Sequence, residues 1–132
     1  QKILEENYKD GELLLRSRWD ASGQKRGIRN FKNRKIHGPW VSWYGNGQKK
    51  DEGNYVEQKQ DGFWTRWYEN GQKRQQINYK DGKKDGPSVT WHDNGEKSSE
   101  SNWKDNKVVT RKCFQNVDSN LFSAHLSRQS WW

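Results

Sequence analysis

The chain has no methionine, one cysteine, two prolines and few aliphatic residues. Each shortage excludes something. The single thiol, Cys113, rules out an internal disulfide. No apolar run approaches the ~20 residues needed to cross a bilayer as a helix; the longest aliphatic stretch is Leu13-Leu14-Leu15. Leu, Ile, Val and Phe together make up 20 of 132 residues, too few for a thick aliphatic core. No signal peptide is in view, and the chain starts at Gln1. A lone thiol fits a cytoplasmic protein. With the native start not visible, a secreted or periplasmic location stays open.

What is present is aromatic and basic. Nine Trp, five Tyr and four Phe accompany a net charge of +8. Each large aromatic can bury roughly 150–250 Å², so the expectation is a folded chain with a thin aromatic core. The positive charge suits an acidic partner, whether acidic protein, anionic lipid or nucleic acid, or serves only the solubility of a thin sheet.

The aromatics recur. Trp64 to Lys73 reads Trp-Thr-Arg-Trp-Tyr-Glu-Asn-Gly-Gln-Lys, and close copies run from Trp40 to Lys49 and from Ser88 to Lys97. Trp19, Trp43, Trp67 and Trp91 stand 24 apart, as do Gly23, Gly47, Gly71 and Gly95. Phe31, Tyr55, Tyr79 and Trp103 form a third column at the same period. A period this short, interrupted by Asn-Gly, cannot hold two helices. It predicts stacked β-hairpins. Asn46-Gly47, Asn70-Gly71 and Asn94-Gly95 are expected as two-residue type I′ turns, with Asp61-Gly62 and Asp85-Gly86 as return turns and Pro87 at a strand start or edge.

The predicted fold is all-β, an elongated antiparallel meander. About ten strands are expected, near 2–8, 12–19, 24–32, 39–45, 48–56, 62–69, 72–80, 86–93, 96–104 and 107–115. Residues 1–115 form the repeat array of about four repeats plus partial end units. Residues 116–132 form a C-terminal cap or docking tail, with a short helix capped by Asp118-Ser119 and a closing Trp131-Trp132 pair.

The segment Gln72 to Gly86, following Trp67-Tyr68-Glu69-Asn70-Gly71, is the cleanest copy of a wider pattern: Trp-Tyr-x-Asn-Gly-Gln-Lys, a polar stretch, then Asn-Tyr-Lys-Asp-Gly-Lys-x-x-Gly. It resembles the variant MORN repeat of bacterial YwqK-family antitoxins, over about residues 7–109 in four copies. The resemblance implies a twisted sheet of hairpins with an aromatic groove, and binding instead of catalysis. The first copy departs by carrying Ser22-Gly23, and a later one by carrying Ser88 where Trp40 and Trp64 stand. A looser likeness is to choline- and glucan-binding hairpin repeats, whose aromatic cages hold cations; their period is nearer 20.

Candidate binding residues follow from the columns. Lys25, Lys49, Lys73 and Lys97 follow each turn, with Lys50 and Arg74 beside them. On neighbouring hairpins they should align about 9–10 Å apart, as a track for a polyanion or as a solvated column inherited by duplication. Trp40, Tyr44, Trp64 and Tyr68 could stack on a ligand or pack the sheet; strand alternation puts Trp64 and Tyr68 on one face and Trp67 on the other. No catalytic site, cofactor or metal is expected: His37, His92 and His125 are scattered, and Cys113 is read as a structural thiol. The readings carried forward are three: a protein-binding module or scaffold, including an antitoxin or immunity partner; a basic aromatic sheet for anionic lipid, nucleic acid or glycan; and a subunit that self-associates through its edges or tail.

Overall fold

The computed structural model of the protein describes residues 3–115. The expected cap or docking tail at 116–132, with its helix and terminal tryptophans, lies outside the described residues. Ten antiparallel strands form one open sheet, each beside its neighbour in sequence. They are β1 (Leu4–Lys9), β2 (Glu12–Trp19), β3 (Lys25–Lys32), β4 (Lys35–Trp43), β5 (Lys49–Val56), β6 (Lys59–Trp67), β7 (Lys73–Lys80), β8 (Lys83–Trp91), β9 (Lys97–Lys104) and β10 (Lys107–Cys113). The all-β meander and its strand number match the expectation from the 24-residue period.

The hairpin ends are of two kinds, and the expected assignment is reversed. At Asn46-Gly47 the Tyr44 amide donates to the Gln48 carbonyl (2.8 Å) and the Gly47 amide to the Tyr44 carbonyl (3.1 Å). Only Gly47, at φ 88°, is left-handed. This is a three-residue loop ending in a glycine bulge, not a type I′ turn; Asn70-Gly71 and Asn94-Gly95 repeat it. The type I′ turns lie at the other end, at Asp10-Gly11, Asn33-Arg34, Glu57-Gln58, Asp81-Gly82 and Asp105-Asn106, where both residues have positive φ.

Strands β4, β6 and β8 therefore begin three to four residues before the expected 39, 62 and 86. Asp61-Gly62 and Asp85-Gly86 are inside strands. Their glycines, at φ 76° and 93°, mark bulges. Three residues, 85–87, face Asn78 alone, and 37–39 likewise face Asn30. Pro87 thus sits in a bulge within β8, not at a strand start or edge, because a bulge frees a position from the ladder.

The thin aromatic core is also corrected. Among the described residues no hydrophobic side chain is fully buried. Among the described residues nothing is stacked on either face of this one-layer sheet, so its aromatics are half covered by their neighbours in the plane. Side chains that are almost enclosed are polar: Ser17, Asp51 and Ser88.

Two rows of directly paired residues define one face. The first runs Leu4, Arg18, Gly27, Ser42, Asp51, Arg66, Gln75, Thr90, Ser99 and Cys113. The second, two residues along each strand, includes Glu6, Arg16, Arg29, Trp40 and Gly53, then Trp64, Ile77 and Ser88. Since alternate residues share a face, all of these project to the same side.

Candidate binding surface

The densest part of that face is built on a glycine. Gly53 leaves room for the Trp64 indole; a Cβ at Gly53 would lie only 2.1 Å from the Trp64 ring. Trp64 then meets Trp40 at 5.4 Å between ring centres, Tyr55 edge-on at 5.0 Å and Tyr79 edge-on at 6.5 Å. Its Nε1 donates to the Asn54 carbonyl (3.2 Å). Aromatic pairs of this kind contribute about 0.5–1.5 kcal/mol each beyond burial. Partial burial raises the pKa of the Tyr79 hydroxyl. Gly53 was absent from the expected site, and only its partner's close approach reveals its role. Tyr55 and Tyr79 stood in a structural column and prove to line the same cluster as Trp40 and Trp64.

Tyr44 and Tyr68 lie just beyond β4 and β6 and tie one hairpin to the next. Their hydroxyls donate to the carbonyls of Trp67 (2.7 Å) and Trp91 (2.8 Å). Asn46 and Asn70 do the same with their amides, to Glu69 and Asp93 (2.8 Å each), while their Oδ1 atoms accept from the Gln48 and Gln72 amides. The repeating Asn is therefore selected for bridging loops, and Gly23, Gly47, Gly71 and Gly95 for left-handed backbone.

The basic residues are largely engaged within the sheet. Lys25 lies over Trp19, Lys49 over Trp67 and Lys73 over Trp91, at 5.3–5.9 Å from the ring centres. Lys50 lies over Tyr44 and Arg74 over Tyr68. Lys49 also pairs with Glu52 (3.0 Å) and Lys97 with Glu100 (2.6 Å). Trp43, like Trp19, Trp67 and Trp91, closes its strand and is half-buried. In the third column, Arg16 lies over Phe31 and Lys84 over Trp103.

Cys113, expected as a structural thiol, is exposed on the outer strand β10. His37 Nδ1 accepts from the Glu57 amide (3.2 Å) and so serves a turn. Among the described residues no three His, Cys, Asp or Glu side chains converge as metal ligands.

A group of arginines had no place in the expected site. Arg16, Arg18, Arg26 and Arg29 line a cleft of about 230 Å³ at the first three hairpins, with Glu6, Gly27, Trp40 and Ser42. Their sequence signal is the pair of closely spaced arginines on each of two consecutive strands, which the 24-residue columns do not display.

The family model of the MORN repeat variant matches residues 36–57 and 60–81. These are the hairpins β4–β5 and β6–β7, so two adjacent copies of that repeat carry the Trp40–Trp64 cluster. MORN repeats in general are protein- or membrane-binding modules and not enzymes. No curated protein matches the chain. Among solved structures, it is similar to a protein with unknown function from Bacteroides fragilis. That likeness has 12% identity and a TM-score of 0.27, covering 86% of this chain and 92% of that one.

Proposed function

We propose that the protein is a non-catalytic scaffold that binds a protein partner on the face bearing Trp40 and Trp64. The observation that supports this reading is the aromatic cluster itself. Trp64, Trp40, Tyr55 and Tyr79 gather on one side of a single-layer sheet, half-buried, with no second layer over them among the described residues. Large aromatics at the centre of a patch are the usual anchors of protein interfaces. In its narrower form the reading makes the partner a toxin that the chain neutralises, in line with the antitoxin group whose repeat pattern it resembles.

The test is co-purification of the full chain with the product of its neighbouring gene, followed by light scattering on the complex. A fixed stoichiometry that is lost with Trp40→Ala supports the proposal. A complex indifferent to Trp40→Ala and Trp64→Ala, with both variants folded, overturns the choice of face. Activity of the neighbouring product unaltered by co-expression removes the antitoxin form alone. The anionic-lipid reading ranks second, because the lysines that would carry it are engaged with tryptophan rings and glutamates.

A further inference from the structure

Three arginines on the cluster's face hold a carboxylate. Arg16 holds Glu6 through Nε and Nη2, both 2.8 Å from Oε1. Arg26 reaches Asp20 at 3.5 Å. Arg66 holds Asp51 at 2.7 Å. Arg18 and Arg29 are exposed and have no ion pair or hydrogen bond to a side chain among the described residues. They flank Gly27: Arg18 is directly opposite it, and Arg29 is two residues further along the same strand face. Arg29 is also directly opposite Arg16. Like charges in that position repel; Glu6 offsets Arg16, and the positive charges left without a carboxylate are those of Arg18 and Arg29.

The next repeat shows what fits there. Asp51 stands 24 residues after Gly27, in the same row. Only 8% exposed, it accepts from Arg66 Nε and from Ser42 Oγ (3.1 Å). Arg66 is in turn the third-repeat counterpart of Arg18, two periods on. The first hairpins thus keep the guanidinium and omit the carboxylate, leaving a notch over Gly27 beside Trp40. We infer that this notch takes an aspartate or glutamate side chain from an acidic segment of a protein partner, held between Arg18 and Arg29. The inference rests on the protein-binding reading above and gives that partner its chemistry. The cleft's volume of about 230 Å³ admits a side chain and falls below the ~300 Å³ at which pockets for whole small ligands begin. The anions that arginines already hold on this face are carboxylates.

A fluorescently labelled hexaglutamate peptide is titrated into the full chain at low salt, with anisotropy as readout. Arg18→Ala combined with Arg29→Ala should weaken binding at least tenfold, and Lys107→Ala, on the far edge, no more than twofold. Gly27→Asp is the decisive variant. Gly27 has no left-handed φ, and an added Cβ meets nothing closer than the Val41 carbonyl at 3.9 Å and Arg18 Nε at 4.0 Å. The variant should therefore fold, by circular dichroism, and fill the notch with its own carboxylate, again weakening the peptide at least tenfold. Unchanged binding by Gly27→Asp overturns the inference, as does an equal loss from Lys107→Ala, which would indicate diffuse charge attraction. Inorganic phosphate or phosphatidylserine vesicles that displace the peptide at lower concentration than free glutamate also overturn it, in favour of a phosphate ligand. A native partner complex that survives Gly27→Asp but not Trp64→Ala sinks the notch and leaves the scaffold standing. A complex that survives both variants overturns the notch and the choice of this face together.

Discussion

Gly53 is the residue on which the aromatic surface turns. Any side chain there collides with the Trp64 indole, the nearest ring atom being 2.1 Å from a Cβ. Gly53→Ala should expel the indole and destabilise the fold by about 1–3 kcal/mol, the usual cost of overpacking. A red-shifted tryptophan emission and a lower urea midpoint are the expected readouts; an unchanged spectrum would show that Trp64 does not rest on Gly53. The columns made Trp40 and Trp64 legible because tryptophan repeats visibly. Gly53 was not legible, because its counterparts one period away are Arg29 and Ile77 and nothing in the repeat demands a glycine. Charged residues add a pH dependence. The Tyr8 hydroxyl and then Arg16 lower the pKa of Glu6, the Ser22 hydroxyl that of Asp20, and Lys97 that of Glu100. A carboxylate with a lowered folded pKa binds fewer protons folded than unfolded, so its contribution is present above the unfolded value and lost as pH falls through the folded one. The thermal midpoint should fall as acid is added below the ordinary Glu value of 4.5. Combining Glu6→Gln, Asp20→Asn and Glu100→Gln should flatten that slope; an unaltered slope would show that other carboxylates set it.

At the level of the hairpin, the sequence announces one turn and conceals the other. Asn-Gly is conspicuous, yet its loop uses Gly alone for positive φ, and Asn46 and Asn70 spend their side chains on the adjoining loop. The tight type I′ turn falls on pairs such as Glu57-Gln58, at φ 47° and 72°, which carry no turn signature. A left-handed residue other than glycine costs roughly 1–2 kcal/mol, tolerated here because the flanking strands fix the register on both sides. Meanwhile Gly62 and Gly86 draw attention as turn residues while forming bulges three residues beyond the strand starts at Lys59 and Lys83. Strands β4, β6 and β8 start three to four residues earlier than such glycines suggest. Replacing Glu57 by Asn and Gln58 by Gly should relieve the strain and stabilise the protein by about 1 kcal/mol. Urea unfolding measures it, and a midpoint that drops would mean that the Glu57 or Gln58 side chain contributes more than its backbone costs.

For the molecule as a whole, the period was enough to specify one meander, because each strand pairs only with its neighbours in sequence. What the period could not convey is that no hydrophobic side chain is fully buried among the described residues. Aromatics at fixed spacing suggest an interior, but a single layer leaves them half-covered, and the sheet is held by ladders, loop-to-loop bonds and cations over rings. Such an array should behave nearly one-dimensionally, its stability a sum of hairpin and interface contributions. Removing one whole period tests this. Deleting residues 48–71 joins Gly47 to Gln72, the same junction as Gly71 to Gln72, and sets β4 against β7 with Trp43 facing Lys73 in the register that Trp67 now keeps. The shortened chain should fold into eight strands and unfold cooperatively. Its urea m-value should fall by about a fifth, since 24 of the 113 residues in 3–115 are lost and m follows the surface exposed on unfolding. The Gly53–Trp64 contact goes with the deleted segment, so partner binding at the aromatic face should weaken while the arginine cleft over Gly27, one hairpin away, keeps its affinity for hexaglutamate. A shortened chain that is unfolded, or that loses both bindings together, would show that the repeats are coupled beyond nearest neighbours.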